Sequence, residues 1–171
     1  LQFSIFALNY VRQSGYGIFL YDSAFNARRS TGTNEAGVEV VCSVADGVLS
    51  IGGELELVVD EVLPNAKDTV IDDDQYVLSA NLNSGAGYTD TLLALTRGER
   101  ITVRVSANDE TWNGVTNMVG ALYQLVDNAQ VCSGLPSGSA PRTAIGLTAD
   151  GSLILYTIDG RQAGYSIGAS L

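Results

Sequence analysis

The sequence predicts an α+β fold made mainly of antiparallel β-sheet with few short helices. Three observations predict it: apolar residues recur with a period of two, Asp-Gly pairs fall between strand-like runs, and one segment alone carries helix signals. The pattern begins at once, since Leu1-Gln2-Phe3-Ser4-Ile5-Phe6-Ala7-Leu8 is strand-like from its first residue. Gly17-Ile18-Phe19-Leu20-Tyr21 is apolar on both faces, which marks a strand covered on both sides. Val38, Val40, Cys42 and Val44 alternate with Glu39 and Ser43; Leu55, Leu57 and Val59 alternate with Glu54, Glu56 and Asp60. Both runs read as half-buried strands, and Asp46-Gly47 reads as a tight turn after the first of them. The helix is predicted over Thr91–Arg97, with Thr89-Asp90 before it as N-cap and Gly98 after it as the C-terminal glycine. Ile101, Val103 and Val105 then alternate with Thr102, Arg104 and Ser106 as another half-buried strand. Leu153–Ile158, apolar on both faces, closes a hairpin whose turn is placed at Asp150-Gly151.

A chain of 171 residues is one domain by size, and 46% hydrophobic against 16% charged residues makes it globular. No repeat and no linker divides residues 1–171, so they read as one domain or the N-terminal portion of one. Nine basic against 19 acidic residues give a net charge of −10, which disfavours a nucleic-acid or anionic-membrane partner. No apolar run is long enough for a membrane span. The N-terminus lacks the basic region and cleavage site of a signal peptide, and a chain opening without Met reads as an excised piece of something longer. Cys42 and Cys132 are too few and too far apart for a disulfide scaffold; they read as two buried thiols, with one long-range disulfide as the alternative. With no histidine, Ser-His-Asp and Cys-His catalysis and imidazole-held zinc are excluded. Chemistry falls to carboxylates, hydroxyls, Arg, Lys67 or backbone.

The polar loop Cys132–Pro141 leads into Pro141-Arg142-Thr143-Ala144-Ile145-Gly146-Leu147, and the following strand ends in Asp159-Gly160-Arg161-Gln162, with Ser166 and Gly168 beyond. Charged residues at the open end of an apolar hairpin suit a site held by a rigid sheet. The alternative is a turn with Arg161 as a solvated rim residue. Together these segments resemble the phosphodiester glycosidase family, whose members include a lysosomal uncovering enzyme and bacterial exopolysaccharide biosynthesis proteins. Upstream, Ser30-Thr31-Gly32-Thr33-Asn34-Glu35-Ala36-Gly37-Val38-Glu39-Val40-Val41 is similar to the Thr-Gly-Thr-Asn segment of bacterial members, and Val119–Asn128 to the strand before the central motif. The resemblance covers roughly Phe6 to Leu171. It further implies a C-terminal helix and an Asp-Gly-Gly-Gly-Ser segment, the remaining part of the parent domain, as the partner that completes the site.

The resemblance implies hydrolysis of sugar phosphodiesters, a carbohydrate or glycan phosphodiester as partner, and a parent enzyme outside the cytoplasm, extracellular or in the cell envelope. A non-catalytic, β-rich carbohydrate-binding or structural module is the competing reading. A phosphate monoester is a good leaving group, so one carboxylate plus cations that hold the phosphate suffices. Asp159 and Glu39 are the catalytic candidates. Arg142, Arg161, Arg28 and Arg29 are the phosphate forks, with Thr143, Asn34 and Ser166 as further substrate contacts. Counting outward from Asp150-Gly151 places Arg142 directly opposite Asp159. Glu39 otherwise reads as a solvated strand residue, and Trp112 with Asn113 as either a sugar platform or an ordinary rim. No cofactor is identified. Asp72-Asp73-Asp74 is where a divalent cation such as calcium would be sought, although a solvated acidic turn explains the run and no calcium-loop spacing follows. Gly85-Ala86-Gly87 lacks the partners of a phosphate loop and reads as a turn.

Overall fold

The computed structural model describes residues 2–12, 17–83, 87–118 and 120–171. The chain forms two compact units, Leu1–Met118 and Val119–Leu171. Gly85 and Ala86 of the predicted glycine turn lie outside the described residues, as does Val119.

The first unit is a six-stranded, mainly antiparallel sheet. Its strands are β1 (Ile5–Leu8), β2 (Ile18–Asp22), β3 (Gly37–Gly47), β4 (Glu54–Ala66), β5 (Gln75–Asn81) and β6 (Arg100–Arg104). Their order across the sheet is β1-β2-β5-β3-β4-β6, and only the β1–β2 pair is parallel. The sheet curls, so that residues 2–5 before and within one edge strand and β6 at the other edge line a common cavity of about 650 Å³. The expected strands are present, and β2 is buried on both faces as its composition requires. Ile18 and Leu20 enter one apolar cluster with Val38, Val40, Leu57 and Leu78; Phe19 and Tyr21 enter a second with Val41, Ile71 and Val77. This is the period-two geometry of a strand covered on both sides.

Three elements differ from expectation. Asp46-Gly47 is not a turn: Asp46 pairs with Glu56 and Gly47 with Leu55 inside the β3–β4 ladder, and the connection is made by residues 48–53. Ile51 in that connection exchanges backbone hydrogen bonds with Gly114 and Val115, which fixes the longer loop. The helix α1 spans Tyr88–Leu93, three residues before the predicted start, with Gly87 as its N-cap. Thr96 and Glu99 explain the shift, because the Glu99 carboxylate accepts from the Thr96 amide (3.0 Å) and closes a separate turn with Gly98 at φ +85°. The third difference is β5, a central strand between β2 and β3 that the sequence does not announce: polar Ser79 and Asn81 are buried in it beside Val77, Leu78 and Ala80. A 3₁₀ turn over Glu110–Trp112 is capped by the Asp109 side chain accepting from the Thr111 amide at 2.9 Å.

The second unit contains two hairpins, β7 (Val126–Asp127) with β8 (Gln130–Val131) and β9 (Arg142–Leu147) with β10 (Leu153–Ile158). Asn128 and Ala129 both have positive φ, the backbone of a two-residue turn whose twist matches the strands. β10 is not covered on both sides as its apolar sequence suggests: Leu153 and Leu155 are 62% and 72% exposed. Neither thiol is bonded; Cys42 is buried, whereas Cys132 is half-buried rather than fully so. Among the described residues no helix is long and apolar enough to cross a membrane.

Candidate functional site

The candidate residues fall into two groups, one in each unit. In the first unit Glu39 sits mid-strand on β3, paired with Ser79 on β5 and Leu63 on β4, on the face opposite Val38 and Val40. That face is not solvated here. Glu39 has no exposed surface, and its carboxylate accepts from Thr31 (3.1 Å), Thr33 (3.1 Å), Ser79 (2.9 Å) and Thr69. The Arg12 guanidinium completes the shell, with Nη1 at 3.6 Å from Oε1. A buried carboxylate is tolerable only when paired and saturated with donors, and this one is both.

Arg12 reaches this position because β3 begins with Gly37. A Cβ at that position would come 2.8 Å from the Arg12 Cζ and still closer to Nη1 and the Ala80 carbonyl, so only glycine leaves room for the guanidinium. From there Arg12 donates to Ser79 Oγ (2.7 Å), the Ala80 carbonyl (3.5 Å) and the Glu35 carbonyl. Burial lowers its pKa and the Glu39 charge opposes that shift. The same burial pushes the nearby Tyr21 phenol up to about 12; its hydroxyl donates to the Tyr10 carbonyl at 2.7 Å. Thr31 and Thr33 are doubly used, since their hydroxyls also accept from the Thr69 and Asp68 amides. Glu39 therefore ties four chain segments together, around residues 12, 31–33, 69 and 79.

Arg28 and Arg29 lie on the adjoining loop, each already paired with a carboxylate. Arg28 meets Asp68 at 3.0 Å and Arg29 meets Asp73, both in exposed positions. This gives the Asp72–Asp74 run a partner for its central residue, which also accepts from Ser23. Among the described residues no cluster of acidic or thiol groups could hold a metal ion. Asn34 is exposed, and its side-chain amide makes no hydrogen bond to the described residues. Trp112 is about half exposed at its 3₁₀ turn, and the Asn113 side chain packs on Gly52.

The second group occupies the open end of the β9–β10 hairpin. Its register is one residue from the expected one: Arg142 faces Ile158 and Thr143 faces Thr157, leaving Asp159 just beyond the ladder. The reason is the turn. Residues 148–152 form a five-residue loop centred on Asp150, in which the Thr148 amide donates to the Ser152 carbonyl (3.0 Å) and the Gly151 amide to the Thr148 carbonyl (3.0 Å). Hydrogen bonds from Thr148 Oγ1 and the Ser152 amide hold the Asp150 carboxylate below the usual carboxylate range. Arg142 and Asp159 consequently form no ion pair. Arg142 instead donates to the carbonyls of Ala169 (3.2 Å) and Gly138 (3.1 Å), fastening two loops to the end of β9.

Beyond β10 the backbone packs tightly. A Cβ on Gly160 would lie 2.5 Å from the Pro141 nitrogen and 2.9 Å from Gly168 Cα, so glycine is needed where these strands cross. Ser166 donates to the Asp159 carbonyl at 2.6 Å, and Gln162 bridges Ser166 through the backbone. Ser166 thus closes the turn that presents Asp159 and Arg161. Both side chains are exposed, and Arg161 adopts a left-handed backbone with φ +57°. A non-glycine residue in this conformation is costly and recurs at functional positions.

Arg12, Ser79 and Thr69 were not among the sequence candidates. Their sequence signal is faint: a lone arginine in a polar stretch, and Gly37 interrupting an apolar strand, which marks a close approach.

The family model of phosphodiester glycosidases matches residues 53–171, well over half of the chain. The chain belongs to the phosphodiester glycosidase family. The match contains Arg142, Thr143, Asp159, Arg161 and Ser166; Arg12, Arg28, Arg29, Asn34 and Glu39 precede it. No curated protein and no solved structure matches the chain significantly.

Proposed function

We propose that this chain belongs to a hydrolase of phosphodiester-linked sugars that expels a phosphate monoester, and that the β9–β10 hairpin end supplies its reacting groups. The observation that carries this reading is the family match running through that hairpin, where a carboxylate and a strained arginine stand exposed together on one turn. Asp159 acts either as general base that takes a proton from the water attacking the anomeric carbon, or as nucleophile forming a glycosyl-enzyme that water then hydrolyses. Arg161, and Arg142 through the donor positions its two carbonyl bonds leave, hold the departing phosphate; Thr143 lines the same strand end. Ser166 positions the turn through the Asp159 carbonyl. Glu39, with no exposed surface, anchors its loop rather than touching substrate. Arg28 and Arg29 would have to exchange their present carboxylate partners to meet a phosphate. The acidic, Lys-poor composition supports a setting outside the cytoplasm.

One observation favours the second reading, a carbohydrate-binding or structural module: in the first unit the candidate charges of Arg28, Arg29 and Glu39 are already satisfied internally. The test is release of free sugar from UDP-N-acetylglucosamine and a methyl phosphodiester of N-acetylglucosamine 1-phosphate. Turnover is expected, reduced about 100-fold or more by Asp159→Asn and about tenfold by Arg161→Lys, which keeps the charge and loses the fork. Absence of release by a folded chain, or variants as active as wild type, would overturn the hydrolase reading in favour of the module.

A further inference from the structure

Above the buried Arg12–Glu39 pair lies a small polar pocket of about 170 Å³ lined by Val11, Arg12, Gly32, Thr33, Asn34, Glu35 and Asn81. We propose that this pocket is a subsite for one neutral sugar ring, and that Arg12 is its positioning residue; the proposal rests on the carbohydrate reading above. Three features select the ligand class. The charge of Arg12 is already met by Glu39 beneath the pocket, so the guanidinium offers little to an anion. The ionisable side chain at the rim is the exposed Glu35, whose Oε2 accepts from the Asn81 amide at 2.6 Å and keeps capacity to accept more. A phosphate would meet that carboxylate unfavourably, within a chain of net charge −10. Hydroxyl groups, each both donor and acceptor, match the Asn34 amide and the Glu35 carboxylate, while exposed Val11 offers an apolar wall to the C–H face of a pyranose.

The positioning role follows from the bonds beneath. Arg12 donates to the Glu35 carbonyl from the protein side, and Thr31 and Thr33 fix the preceding residues onto Glu39. Asn34 lies between these anchors, so its backbone is set while its side chain stays exposed at the pocket. Lysine at position 12 would keep the charge and lose the planar fork that spans Ser79, Ala80 and Glu35 at once.

The experiment is a titration of the isotopically labelled chain with N-acetylglucosamine, with glucose and separately with inorganic phosphate, followed through the backbone amides. Sugar is expected to shift Thr33, Asn34 and Glu35 with a Kd on the order of millimolar, and phosphate to leave them unmoved. Asn34→Ala is expected to weaken sugar binding about tenfold without altering the melt, because no bond holds that side chain to the described residues. Arg12→Lys is expected to weaken it similarly, with faster hydrogen exchange at Glu35 while the β3 and β5 amides stay protected. Shifts by phosphate alone, or no shift at these amides with either sugar, would overturn the subsite. Unchanged sugar affinity in a folded Arg12→Lys chain would overturn the positioning role. Sugar binding here without any phosphodiester turnover would sink the hydrolase reading and leave the subsite standing; turnover with no response at residues 33–35 would do the reverse.

Discussion

The two units solve the problem of holding charged groups in opposite ways. In Leu1–Met118 an arginine and a glutamate are drawn into the protein and saturated, with an apolar cluster on each face of the sheet around them. In Val119–Leu171 Asp159 and Arg161 stand in the open, carried by a hairpin whose apolar strands are themselves exposed. Buried charges are rigid and spent, because every donor and acceptor already has a partner. Exposed charges on a tightly packed turn remain available to a ligand. On the proposed hydrolase reading, anchoring falls to the first group and chemistry to the second.

The comparison is most easily broken at Glu39. Glu39→Ala strands the Arg12 charge in the sheet and is expected to destabilise the first unit by about 3–5 kcal/mol, measured by urea unfolding, while the amide spectrum of β9–β10 is unchanged. An effect under about 1 kcal/mol would show that the network is dispensable. A paired truncation asks the same question of apolar residues. Leu57, fully buried, should cost about 2–5 kcal/mol as Leu57→Ala, whereas Leu155, 72% exposed, should cost less than about 0.5 kcal/mol as Leu155→Ala.

Alkali sharpens the contrast further. Burial, with a smaller contribution from the Asp60 charge, pushes the Cys42 thiol from 9.0 up to about 12. The unfolded chain then loses this proton first, so stability is unaffected below pH 9 and falls as pH rises toward 12. The loss from this group should approach about 2 kcal/mol by pH 10.5, with Tyr21 adding to it above pH 10. Cys42→Ser, followed by the same alkaline melts, should flatten the slope, and thiol labelling of the folded chain should reach half-buried Cys132 well before Cys42. The smallest effect is at Arg161. Arg161→Gly relieves a left-handed residue but frees the unfolded chain, so stability should change by less than about 0.5 kcal/mol while sugar phosphodiester turnover falls.

The sheet was legible where burial is one-sided or symmetrical along a single run. Leu55, Leu57 and Val59 announce β4, and Ile18–Tyr21 announces a strand covered on both faces. β5 was silent because Ser79 and Asn81, polar by type, are buried as partners of the Glu39 carboxylate and of the Glu35 carboxylate and Asn83 amide. Asp46-Gly47 carries turn chemistry yet stays in a ladder, since the anchoring of Ile51 to residues 114 and 115 decides where the chain reverses. At the hairpin, the right turn residues still gave a register one position out, because centring on Asp150 instead of the Asp150-Gly151 bond shifts every pair. For the candidate site, residue type singled out Asp159, Arg142 and Arg161, but not Arg12, whose placement depends on a partner 27 positions away and a gap made by glycine.

That gap makes positions 12 and 37 a single unit of inheritance. A side chain at 37 would evict the guanidinium, and with it the counter-charge of Glu39 and the strut under residue 35. A smaller residue at 12 would leave a buried carboxylate unpaired, and position 37 would still need glycine because a Cβ there would lie 2.3 Å from the Ala80 carbonyl. Neither position can drift alone. Variation at this corner of the sheet would have to pass through a coordinated change at 12, 37 and 39, or not occur.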